Sequence, residues 1–81
     1  MKLPRDLSGP QLAQLLSHYG YAITRQSGSH LRLTSTNQGE HHITIPNHES
    51  LRVGTLAGIL ADVAAHFKVS RDEVVSKLFP H

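Results

Sequence analysis

The spacing of apolar residues changes period twice along this chain, which restricts it to folds that combine helices with strands. Leu12, Leu15, Leu16 and Tyr19 follow i, i+3, i+4, i+7, the buried stripe of one helix. Past Gly20 the period falls to two. Tyr21, Ile23 and Arg25 alternate with Ala22 and Thr24, and Leu31, Leu33, Ile43 and Ile45 recur at every second position. These stretches predict three short antiparallel strands joined by hairpins. Helical spacing returns with Leu56, Ile59, Leu60, Val63 and Phe67, and a short third helix follows from Ser70. Elements with one apolar face each must bury those faces against one another. The expectation is an α+β fold: a three-stranded antiparallel sheet with helices packed on one face, in the order αβββα plus a short C-terminal helix, in one domain spanning residues 1–81.

Local punctuation supports those boundaries. Ser8 with Gln11 reads as a capping box, Leu7 with Leu12 as a hydrophobic staple, and Pro10 stands in the first turn, where its missing N–H is harmless. Gly20 ends the first helix. Gln26-Ser27-Gly28 reads as a three-residue hairpin loop with a left-handed glycine, and Asn37-Gln38-Gly39 as the second turn. Thr55 is the expected cap of the long helix. Ser70 with Glu73, and Val69 with Val74, open the last helix as a capping box and a staple, and Pro80 stops it.

The register of the second hairpin follows from keeping core residues opposite one another. Pairing Leu33 with Ile43 and Leu31 with Ile45 sets Arg32 across from Thr44, Thr34 across from His42, and His30 across from Pro46. His30, Arg32, Thr34, His42 and Thr44 then face away from the helices. Four residues of strand separate His30 from His42 by roughly 13 Å, too far to share a proton or a metal. His48 is free to fold back toward His30. In the first hairpin, the three-residue loop would put Ile23 across from Leu31 and Thr24 across from His30. The expected open floor is Thr24, His30, Arg32 and Thr44, with His48 at its rim. His41 and His42, adjacent on a strand, point to opposite faces and chelate poorly, so no metal site is assigned.

Composition narrows the function less sharply. The chain has no cysteine, so disulfides and thiolate chemistry are excluded. Its net charge is only +2, which does not by itself point to nucleic acid, and the absence of tryptophan argues against a base-stacking platform. The opening MKLPRDLSGPQ has no long apolar run and no small-residue cleavage site, and no stretch approaches the ~20 apolar residues of a membrane helix. A soluble, cytoplasmic chain is expected. Seven histidines are the unusual feature.

Three ordered blocks resemble the HicA-like toxin family: Gln26-Ser27-Gly28-Ser29-His30, then Ile43-Thr44-Ile45-Pro46-Asn47-His48, then Leu51-Arg52-Val53-Gly54-Thr55-Leu56. They match that family's GSH triplet, its T-[IV]-P-x-H segment and the GTL that begins its last main helix. SGPQLAQLLSHYGY is similar to the family's opening helix, and the likeness runs over about residues 7–67. The resemblance implies a fold like the double-stranded-RNA-binding domain, endoribonuclease activity on messenger RNA, and inhibition by a HicB-type antitoxin that covers the active face. It implies no cofactor. It also implies that His30, which matches the histidine of the GSH triplet, is the catalytic residue. The tail beyond Phe67 is longer than the family's minimal pattern and is assigned to self-association or to the antitoxin interface.

The chemistry suits an imidazole. RNA is cut without metal when its own 2′-hydroxyl attacks the adjacent phosphorus, which takes a base, an acid and donors for the phosphorane charge. Histidine, with a pKa of about 6.5, serves as base or acid near neutrality. Gly28 is expected to let the RNA backbone approach, Ser29 to touch phosphate, Arg32 to clamp it bidentately, and His48 to partner His30. Arg25 and Arg52 are weaker candidates of the same kind. Two other readings of these residues stay open: a non-catalytic RNA-binding module, and an interaction subunit that holds the antitoxin.

Overall fold

The computed structural model describes residues 3–80; Met1, Lys2 and His81, the ends of the expected 1–81 domain, lie outside the described residues. Helix α1 (Gly9–Leu15) passes into a 3₁₀ turn (Leu16–Tyr19), followed by β1 (Ala22–Ser27), β2 (His30–Ser35), β3 (His41–Pro46), α2 (Val53–Phe67) and α3 (Arg71–Leu78). The sheet order is β1-β2-β3, all antiparallel. This is the α+β architecture that the change of period predicts.

The start of α1 forms as its residues dictate. The Ser8 hydroxyl accepts from Gln11 N–H at 3.1 Å, and the Gln11 side chain accepts from Ser8 N–H at 2.9 Å, so two orphan donors of the first turn are satisfied. Gly9 lies against the end of β3, where a Cβ would collide with the Pro46 carbonyl oxygen. At the other end, the Tyr19 carbonyl accepts from the buried Ser35 hydroxyl at 2.9 Å and from the Asn37 amide at 3.1 Å. Those bonds fix the helix terminus to the second hairpin.

The core lies between the helices and one sheet face. Leu12, Leu16, Leu33, Ile45, Leu56, Leu60, Val63, Val74 and Leu78 are its fully buried apolar members. The register of β2 with β3 is the expected one at every pair, from His30 opposite Pro46 to Thr34 opposite His42. Two apolar residues per strand, all four buried, leave it no freedom.

The first hairpin differs from expectation. Ile23 pairs with Leu33 rather than Leu31, Arg25 pairs with Arg32, and Ser27, not Thr24, faces His30. The loop is the two residues Gly28-Ser29, and the extra residue is absorbed by a β-bulge at Thr24, between Ile23 and Arg25. No packing constraint opposes this, because β1 is an edge strand with all six residues exposed, Ile23 included. The expected cap Thr55 is also displaced. Arg52 is the N-cap, extended at ψ 143°, and its carbonyl accepts from Leu56 N–H at 2.9 Å, so Thr55 already lies within the first turn. Ser70 caps α3 as expected, accepting from Glu73 N–H at 3.0 Å. No single described helix is long and apolar enough to cross a membrane.

Candidate active site

The site begins with the turn between β1 and β2. Ser27 and His30 form its closing pair, and Gly28 between them has a φ of 55°. A two-residue hairpin with a positive φ at its first central position alone is the type that requires glycine there. Beyond its two chain neighbours, no heavy atom lies within 4 Å of where a Gly28 side chain would begin, so the tip of the hairpin is open to an incoming chain.

His30 is the first residue of β2 and is exposed on the sheet face away from the helices. Ser29 Oγ stands 3.4 Å from His30 Nδ1. With Ser29 accepting, Nδ1 carries the proton and Nε2 presents its lone pair outward; with Ser29 donating, the roles exchange. A shallow cleft of about 190 Å³ surrounds the ring, lined by Arg25, Ser27, His30, Arg32 and Thr44. Arg32 therefore joins His30, as the register predicts. Arg25 and Ser27 join them in place of Thr24, because the two-residue turn sets Ser27 opposite His30 and Arg25 opposite Arg32.

Thr24 is drawn elsewhere on the open face. Its hydroxyl lies 3.0 Å from Thr34 Oγ1, which lies 2.8 Å from His42 Nδ1, and His42 Nε2 reaches Glu40 at 2.7 Å. His42 is thus engaged at the opposite end of the sheet from His30.

The loop after β3 is tied to the same corner. Asn47 N–H donates to the Ser29 carbonyl at 2.6 Å, and Gly9 N–H donates to the His48 carbonyl at 2.9 Å. These bonds bring the loop bearing His48 beside the turn bearing His30, although the family's blocks are separated in sequence. The His48 side chain is exposed and is not part of the cleft lining. Leu51 N–H donates to the Leu7 carbonyl at 2.7 Å and fixes the far end of this loop.

His41 belongs to a separate, structural cluster on the helix side of the sheet. Tyr21 Oη lies 2.6 Å from His41 Nδ1, and burial first, then the negative charge of Asp62, pushes the Tyr21 phenol up to about 12. The phenol thus keeps its proton, and because the Asp62 carboxylate can only accept, His41 turns its ring N–H at Nε2 toward it and Nδ1 accepts from the phenol. His41 Nε2 points at Asp62 at 3.3 Å, and the ring stacks on His66 with centroids 4.4 Å apart. His66 Nε2 donates to the Asn37 carbonyl at 3.0 Å. Among the described residues no three His, Asp or Glu side chains form a group able to hold a metal ion.

The expected floor lacks Arg25, a weaker phosphate candidate in sequence, and Ser27, expected only as a loop residue. Strict alternation points Arg25 toward the helices, and nothing in Thr24-Arg25-Gln26 marks a bulge, since no glycine stands there.

No curated protein and no solved structure matches the chain. The family described as the HicA toxin of bacterial toxin-antitoxin systems matches residues 9–64. That span runs from the first residue of α1 through all three strands and most of α2, and it contains the whole cleft around His30. With well over half its length matched, the chain belongs to the HicA toxin family.

Proposed function

We propose that this toxin is an endoribonuclease that cleaves messenger RNA, with His30 as the residue that moves the proton. The observation that carries the reading is the exposed His30 imidazole in a cleft with two guanidiniums and two hydroxyls, on the sheet face that the helices leave uncovered. In the proposed step, His30 Nε2 takes the proton of a ribose 2′-hydroxyl while that oxygen attacks the adjacent phosphorus. The bond from phosphorus to the 5′-oxygen breaks, and the departing oxygen takes up a proton. The products are a 2′,3′-cyclic phosphate and a 5′-hydroxyl. Such proton transfer contributes roughly 10²–10⁴-fold to rate.

The remaining residues support this step. Gly28 holds the turn open, and Ser29 orients the imidazole through Nδ1. Arg32 supplies charge-assisted donors to the backbone phosphate oxygens of the bound RNA. His48, on the loop fastened to Ser29, is the candidate for the second proton carrier. A HicB-type antitoxin silences the enzyme by covering the open face, in keeping with the family's toxin–antitoxin context. The reaction has a cytoplasmic setting, where messenger RNA is available.

The nucleophile is the part of this scheme that the substrate provides, and it can be removed. A labelled transcript cut by the protein is expected to resist when a single 2′-deoxynucleotide replaces the ribonucleotide at the cleavage position. Equal cutting of the deoxy-substituted strand would overturn the proposed chemistry.

A further inference from the structure

In an unbroken strand, position 25 shares the face of position 23, toward the helices. The bulge resets that alternation. Thr24 reaches Thr34 on the open face, and Arg25 falls directly opposite Arg32 on the same face. Like charges opposed across neighbouring strands are destabilising unless something answers them. Among the described residues the carboxylates within 4.0 Å of a basic side chain are Asp62, against His41, and Glu40, against His42, so no described carboxylate neutralises either arginine. The chain has only eight Lys and Arg in all, yet two stand face to face beside His30. Net charge hides that concentration. A bulge commonly re-aims a side chain next to a site, and paired planar guanidiniums suit the oxygens of a phosphate.

We propose that Arg25 and Arg32 form a seat for one backbone phosphate of single-stranded RNA, adjacent to the phosphate that is cut. The assignment of the neighbouring phosphate rests on His30 being the cleaving residue. Arg32 follows His30 by two strand residues, roughly 6.6 Å along β2. That is about one nucleotide step of an extended chain, so imidazole and seat receive consecutive phosphates. The seat makes substrate length a determinant of rate. A dinucleoside monophosphate offers the scissile phosphate alone and leaves both guanidiniums unanswered, whereas a trinucleotide occupies both positions.

Binding is tested with a 2′-O-methyl oligonucleotide, which cannot be cut, by fluorescence anisotropy across a salt series. Arg25→Gln and Arg32→Gln are each expected to weaken binding about tenfold. Because both guanidiniums answer one phosphate, the double variant should lower the slope of log K against log salt by about 0.7. Arg71→Gln removes the same charge from α3, outside the cleft, and is expected to change affinity less than about twofold. The comparison of Arg25→Gln with Arg71→Gln decides the matter. Equal losses in those two variants, or parental binding by Arg25→Gln, would overturn the seat. None of these readings depends on cleavage, so they stand apart from the fate of the nuclease proposal. The position of the seat is read kinetically: the parent should cut a trinucleotide at least about tenfold faster in kcat/KM than a dinucleotide, and Arg25→Gln should erase the gap. Equal rates in the parent would move the seat onto the scissile phosphate and refute its placement.

Discussion

Tyr21 illustrates how a single residue is committed by its surroundings. Its ring is buried, its hydroxyl donates to His41, and burial with Asp62 nearby pushes its pKa up to about 12. A phenol whose folded pKa exceeds its unfolded value of about 10 stabilises the fold fully below pH 10. That contribution is lost as pH rises from about 10 through about 12. The melting temperature of the parent should therefore fall across this window more steeply than that of Tyr21→Phe, measured by circular dichroism. Parallel curves would show that the phenol is not held protonated. Neither the phenol's partner nor its shift is visible in sequence, because twenty residues separate Tyr21 from His41 and only the sheet brings them together. His30 is the opposite case. Its outward orientation follows from parity alone, given Leu31 and Leu33.

At the scale of elements, legibility tracks burial. β2 and β3 each bury two branched apolar residues, so a slip of one residue would turn one strand's pair out to solvent, and their pairing is readable residue by residue. β1 buries none of its residues, so its register is set by the turn and the bulge, for which period-two reasoning has no term. The same blindness placed Thr24 beside His30 and turned Arg25 away from it. Capping behaved similarly. Ser8 and Ser70 were readable because their side chains accept from the third residue onward, whereas Arg52 caps α2 through its backbone alone. Gly9 was not singled out at all, although it lets α1 lie against Pro46 and donates to the His48 carbonyl. Gly9→Ala should force those backbones apart, costing about 1–3 kcal/mol in chemical denaturation. Unchanged stability would show that the junction between α1 and β3 is looser than its geometry.

The whole molecule is two layers with one side left bare. Helices cover β2 and β3 from one direction, and the opposite face carries Arg25, Ser27, His30, Arg32 and Thr44. That layering was legible from the two changes of period, and the toxin family from three short blocks in order. The activity was not legible from either physics or fold, because a fold of this kind hosts many functions. Only the resemblance of the GSH triplet singled out His30 among seven histidines. The structure adds that two of the others, His41 and His42, are engaged with Tyr21, Asp62, Thr34 and Glu40, away from the cleft. It is therefore His30 on which the account turns. Single-turnover cleavage of a labelled transcript by the parent and by His30→Ala, with melting curves taken in parallel, tests it most directly. The account predicts a loss of at least about 10²-fold in rate with no change in melting temperature, since the ring faces solvent. A folded His30→Ala protein that cuts as fast as the parent would contradict it.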